Sequence, residues 1–310
     1  MLEVVQVGSV DELFALLRSD TRWGDGLRQR WIFRGQADKR WRLKPGAWRD
    51  DFIKRYSNII NEYENRFRHI RAVHPKDSWR GLNWENEIKY YAHTCLEKTL
   101  IQEFYYYMDI AGVGRSLARD RFGELLKSQS DVKDFDYGWE LEMVACQHAG
   151  LPTRLLDWTF NSLKALYFSI DVGKKEQSSL AIYALDASIL FDKNHINEQI
   201  GLIQPLRFEH SYVRNQEGIF TVLRKIDHYY LQKGRFPDIE SMINTDVNAI
   251  PLTMYKFEYN LGDGDKEKIV KMLLRAQISR PHLMPIPESC ATQAQSNIIL
   301  FGSDPDISGL

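Results

Sequence analysis

Apolar and polar positions along this chain repeat with two different periods, and the switches between them outline its elements. Val4 to Val7 reads as a short strand. Ser9-Val10-Asp11-Glu12 forms a capping box, after which Val10, Leu13, Phe14 and Leu17 recur at helical spacing. Trp31 to Arg34 reads as a strand with Trp31 and Phe33 on one face and Ile32 and Arg34 on the other. Residues 50 to 128 read as a mainly helical block. One stripe there is Phe52, Tyr56, Ile59, Ile60, Tyr63 and Phe67; a second is Ile88, Tyr91, Ala92, Cys95, Leu96, Thr99 and Leu100. Trp139 to Ala149 is the next predicted helix, ended by Gly150 as a left-handed cap and by Pro152. A loop follows to Asn161, which reads as the N-cap of a helix burying Leu163, Leu166, Tyr167 and Ile170.

Leu180 to Leu185, Gly218 to Leu223 and Leu252 to Tyr259 read as further strands. Lys266 to Ile278 predicts an amphipathic helix with Ile269, Val270, Leu273, Leu274 and Ala276 inward. Asn194 to Pro205 and Lys233 to Asn248 read as long loops. This order predicts an α+β fold, a small mixed or antiparallel sheet with a large helical block packed on it. With no repeat, low-complexity tract or linker, residues 1–310 are expected to form a single domain whose C-terminal part, about 250–310, is a strand-helix extension.

Composition narrows the function. Hydrophobic content of 44% and charged content of 27% are those of a globular protein, and a net charge of −1 gives no support for broad nucleic-acid binding. Cys95, Cys146 and Cys290 make neither a zinc spacing nor a disulfide framework, and the eight histidines form no metal motif. Neither a signal peptide nor an 18-residue apolar run is present, so a cytoplasmic protein without membrane contact is expected. Cys146 next to Gln147-His148 invites a Cys-His nucleophile, but each step along a helix turns the side chain by about 100°, which favours a structural cysteine. Gly112-Val113-Gly114-Arg115 lacks the rest of a phosphate loop and reads as a turn.

The chemistry concentrates in Gln147, His148, Thr153, Arg154, Asp157 and Trp158. Leu151, Leu155, Leu156 and Trp158 need burial, so Arg154 and Asp157 enter a partly buried place, where they either pair or await a ligand. Arg34, a planar cation at a strand end, suits phosphate or carboxylate, and Gly35 lets another group approach the backbone; an internal ion pair with Asp157 is the structural alternative. His148 suits a general base or a donor, and Gln147 a neutral donor and acceptor.

The motifs Phe33-Arg34-Gly35-Gln36, the Trp41 to Trp48 stretch WRLKPGAW, QHAGLPTRLLDWTFNSLKALYFS and Arg214 to Phe220 (RNQEGIF) resemble the FRG domain family over about residues 25–225, with a weaker echo near Leu273 to Pro287. The resemblance implies a bacterial or phage-associated protein, an effector in antiviral defence or a toxin. The order of Phe33-Arg34-Gly35, then Thr153 with Ala165 to Ser169, then Gln216-Glu217-Gly218 is also similar to that of mono-ADP-ribosyltransferases, although the last segment is not a clean Glu-x-Glu or Gln-x-Glu element.

That similarity implies an enzyme using NAD or a related nucleotide, by ADP-ribosyl transfer or NAD glycohydrolysis. Its catalytic residues are expected to be His148, Gln216 and Glu217. Its ligand-binding residues are expected to be Arg34, Gly35, Gln147, Thr153, Arg154 and Asp157, with NAD as substrate, no tightly bound cofactor and no metal. A macromolecular acceptor or a regulatory protein partner is the further expectation. The alternative is a non-catalytic module that binds a nucleotide or polar ligand in the same pocket. A His148-Asp157 hydrolase ranks last, for want of a serine nucleophile.

Overall fold

The computed structural model describes residues 2–18, 31–73, 83–112, 139–174, 176–191, 199–205, 211–243 and 252–302. The predicted turn at Val113 to Arg115 and the end of the helical block, 113–128, lie outside the described residues.

Among the described residues seven strands form one mixed sheet, β1 (Leu2–Val7), β2 (Trp31–Gln36), β3 (Leu155–Thr159), β4 (Ser179–Asp186), β5 (Ile200–Ile203), β6 (Gly218–Leu223) and β7 (Met254–Asn260). Their order is β1-β7-β4-β2-β3-β6-β5. Only β1 with β7 is parallel; the other pairs are antiparallel. β4 lies inside the sheet and is buried along nearly its whole length, which is why its sequence is a continuous apolar run rather than an alternation. β1 pairs with β7, so the C-terminal strand-helix region shares the sheet with the N-terminus.

Alternation sends the strand side chains to two faces. Ile32, Trp158, Tyr183, Leu185, Ile219 and Met254 face one core, shared with α2 (Asp50–Arg55), α3 (Ser57–Val73) and α4 (Trp84–Ile110). Phe33, Leu180, Ile182, Ala184 and Phe257 face a second core, against α1 (Val10–Leu17) and the C-terminal helices. Leu155, Phe220 and Val222 meet α5 (Glu140–His148) in a third cluster. Helices therefore cover both faces, and the α+β fold holds with a wider sheet than the sequence pattern suggested.

Four expectations are corrected. The segment read as a loop between residues 150 and 160 contains β3; its LLDWT carries a single polar break, because β3 is flanked by β2 and β6. The segment Asn194 to Pro205 contains β5, too short at 4 residues to show a period. Residues 233–248 include the helix Ile239–Ile243, and Ala276, expected inward, is exposed at the helix end.

The helix boundaries around the site follow from local chemistry. Gly150 adopts φ 92°, a left-handed conformation that suits glycine. Its N–H donates to Gln147 O at 3.0 Å and Leu151 N–H donates to Cys146 O at 3.0 Å, the paired bonds of a Schellman stop. Asn161 caps α6 (Ser162–Phe168), its Oδ1 accepting from the N–H groups of Leu163 at 3.1 Å and Lys164 at 3.2 Å.

Candidate functional site: a cleft where two strands part

β2 and β3 share a single ladder position, Phe33 opposite Thr159. Beyond it β2 stays with β4 as far as Gln36, whereas β3 runs along β6 to Leu155. The strands part, and a cleft of about 600 Å³ opens there. Its walls come from β2 and the following Ala37, from Trp41 and Arg49, and from the end of α5 at Gln147 and His148. Asp157 to Thr159, Ala165 and Phe168, Tyr212 and Gln216, and the segment with Arg280, Met284 and Ile286 close it.

Arg34 spans the parting. Its Nη1 donates to the backbone oxygen of Asp157 at 2.8 Å and lies 3.4 Å from the carboxylate Oδ2. Its Nε is buried and meets no acceptor among the described residues. The guanidinium is thus half committed, with one edge holding β3 and another donor left over.

Asp157 is oriented by a relay. Leu155 N–H donates to Thr153 Oγ1 at 3.1 Å, so the Thr153 hydroxyl proton turns to Gln147 Oε1. Gln147 must then present its amide hydrogens elsewhere, and Nε2 donates to Asp157 Oδ1 at 2.6 Å. Both carboxylate oxygens are therefore engaged, yet the side chain stays 51% exposed to the cleft. Thr153 acts from behind Gln147, buried, rather than on the cleft surface. His148 stacks on Tyr212, with ring centroids 6.1 Å apart, and meets the edge of Phe220 at 5.7 Å.

Gly35 lines the cleft, but its missing side chain serves packing. A Cβ there would lie 1.9 Å from the Ala165 carbonyl oxygen and 2.6 Å from Ser169 N, so β2 rests directly on α6. Only glycine fits.

Besides Thr153, two expected residues lie apart from the cleft lining. Arg154 is buried in the helical layer, its Nε donating to Glu97 Oε2 at 2.9 Å and its Nη2 to Oε1 at 3.3 Å. Glu97 also accepts from Trp48 Nε1 at 3.0 Å. The two arginine-aspartate candidates of the sequence therefore divide: Arg154 pairs with Glu97, and Asp157 with Arg34. Glu217 is turned onto α6, where its Oε1 accepts from Lys164 Nζ at 2.7 Å and from Asn161 Nδ2 at 3.3 Å. Its neighbour Gln216 does line the cleft, its carbonyl accepting from Thr159 Oγ1 at 2.6 Å.

Burial pushes the Cys146 thiol up to about 12, with the Glu142 charge adding to it. It stays protonated at neutral pH, as a structural cysteine should. Among the described residues no three of His, Cys, Asp and Glu converge to hold a metal ion, and no helix is long and apolar enough to cross a membrane.

Sequence reasoning missed three polar groups of the cleft as site residues: Gln36, Arg49 and Arg280. Arg49 has lost some of its ordinary basicity, first to burial and then to the positive charge of Arg34, so the two cations share one environment. The signal for Gln36 was its place at the end of the Phe33-Arg34-Gly35-Gln36 motif, and for Arg49 its place directly after the WRLKPGAW stretch. Arg280 lies far away in sequence and is delivered only by the fold.

Residues 29–178 match the family model described as FRG domain, a span that holds Arg34, Arg49, Gln147, His148 and Asp157. Arg214 to Phe220 and Arg280 fall outside it. No curated protein and no solved structure matches the chain.

Proposed function

With an FRG domain present over residues 29–178, we propose that the cleft binds a phosphate-bearing nucleotide such as NAD, with Arg34 as its principal anion ligand. One observation carries this reading. Arg34 is anchored to Asp157 through Nη1 while its buried Nε has no acceptor among the described residues. A buried donor left unmet costs more than a bond is worth, and a guanidinium is best matched by phosphate. Trp41, Phe168 and Tyr212 supply flat apolar walls for a base, the mix of apolar surface and few polar groups expected of a ligand pocket.

The second reading is catalysis on the same ligand, and the exposed Asp157 carboxylate favours it. In NAD glycohydrolysis or ADP-ribosyl transfer the bond from ribose C1′ to the nicotinamide nitrogen breaks and its electron pair leaves with nicotinamide. The ribose becomes cationic, and water or an acceptor hydroxyl then attacks C1′ and gives up its proton. A fixed carboxylate stabilises that cation. In this chain the role falls to Asp157, which faces the cleft, rather than to Glu217, which pairs with Lys164. His148, stacked on Tyr212 at the cleft wall, would take the acceptor's proton. Such an enzyme would act as an antiviral or toxin-like effector, and its unrestrained expression would slow bacterial growth.

The two readings part in one experiment. The purified chain is titrated with NAD by calorimetry while nicotinamide release is followed, with Arg34→Ala as control. Binding lost in Arg34→Ala supports the nucleotide site; release above the control adds catalysis. Binding equal in the two proteins excludes Arg34 as a ligand group.

A further inference from the structure

The cleft holds more cationic and donor capacity than one phosphate uses. Among the described residues three arginines line it, Arg34, Arg49 and Arg280, against one lining carboxylate, Asp157, and that carboxylate is already engaged by Arg34 and Gln147. Arg280 Nε is buried with no acceptor among the described residues. Gln36 is only 5% exposed, lines the cleft, and its Nε2 donor is likewise unmet. Polar groups so far from water are normally satisfied, and donors of this kind converging on a cavity point to an acceptor-rich ligand.

Arg280 is held in place by the fold. It opens the short helix Arg280–Leu283, its backbone N–H donates to Gln293 Oε1 at 3.0 Å, and that helix packs on residues 211–216. This wall of the cleft is built by chain beyond the FRG match.

We propose that Arg280 forms a second anion subsite, so that the cleft takes a ligand carrying a diphosphate rather than a single phosphate. The inference rests on the nucleotide reading of the cleft. Arg34 and Arg49 hold one phosphoryl group, and Arg280 holds the other. A diphosphate joins its two anionic groups through one oxygen, and it occurs both in nucleoside diphosphates and as inorganic pyrophosphate.

The test is calorimetry on the full chain with ADP, AMP and inorganic pyrophosphate. The native protein binds ADP at least about tenfold more tightly than AMP, the size expected for one charged hydrogen-bonding group. In Arg280→Ala that preference collapses while AMP affinity stays the same. Arg280→Gln, which keeps length and polarity, carries the same comparison should the alanine variant fail to fold. Pyrophosphate binding alone, lost in Arg280→Ala, keeps the subsite and assigns it to a non-nucleotide diphosphate. An ADP-over-AMP preference unchanged in the variants overturns the subsite and leaves the nucleotide reading standing. Failure of the native protein to bind any of the three overturns both.

Discussion

Arg34 in β2 donates to the backbone oxygen of Asp157 in β3 at 2.8 Å, where the ladder between the two strands has already stopped. One side chain therefore does what backbone pairing does elsewhere in the sheet, and the space left by the missing pairs is the cleft. This couples the cleft to the fold: the residue proposed as the anion ligand also braces the strand that carries Asp157.

That dual role sets the behaviour of substitutions at Arg34. Arg34→Ala removes the ligand contact and one bond to Asp157, whose carboxylate keeps Gln147, so the loss of stability is about 1–2 kcal/mol. Arg34→Lys loses the planar fork and does not restore binding. Thermal melting and nucleotide titration on both variants check this. A lysine variant with native affinity contradicts it.

Arg154 behaves in the opposite way. Arg154→Met strands the charge of Glu97, which is 2% exposed, and costs about 3–5 kcal/mol in urea unfolding. Adding Glu97→Gln recovers part of that loss. A mild effect of Arg154→Met, with loss of ligand binding, would move Arg154 back into the site.

Gly35→Ala drives a Cβ to within 1.9 Å of the Ala165 carbonyl, a backbone atom with no room to yield. The expected loss is at least about 3 kcal/mol, at the upper end for overpacking. A melting temperature within a degree or two of native would show that β2 and α6 are less closely packed.

Two buried groups give stability opposite slopes with pH. His93 is held below the ordinary imidazole value, by burial first and then by Arg154, so the unfolded chain binds more protons and stability falls as pH drops below about 6.5. Glu240 is held above the ordinary glutamate value by burial, so stability falls as pH rises from about 4.3 through its folded pKa. Urea unfolding across pH 4.5 to 7 separates them, because His93→Gln removes the first slope and Glu240→Gln the second. A native slope retained in both variants rejects the assignment.

The carboxylate assignment is tested by turnover if the chain releases nicotinamide from NAD. Asp157→Asn abolishes release, whereas Glu217→Gln changes it less than about threefold, because Glu217 pairs with Lys164 and lies off the cleft lining. The reverse pattern restores Glu217 as the acid.

Much of this site is legible in the sequence. The stop at Gly150, the cap at Asn161 and the strand through Trp31 to Arg34 are local events written in local chemistry, and the fold realises them, with that strand running two residues further to Gln36. β3 is less legible because its apolar run looks like a loop needing burial, and β5 because 4 residues carry no period. Which acid each arginine meets is beyond reach, since Arg154 finds Glu97 57 positions away and Arg34 finds Asp157 123 positions away. Arg280 joins the cleft through tertiary packing alone, and no pattern in its own segment announces a ligand.

The most direct test of the nucleotide site is a crystal structure of the chain grown with saturating ADP. The expected result is ADP in the cleft with a phosphate oxygen about 2.7–3.2 Å from Arg34 Nε, while Arg34 Nη1 keeps the Asp157 carbonyl. An empty cleft, or a bound nucleotide whose phosphates lie away from Arg34, would contradict it.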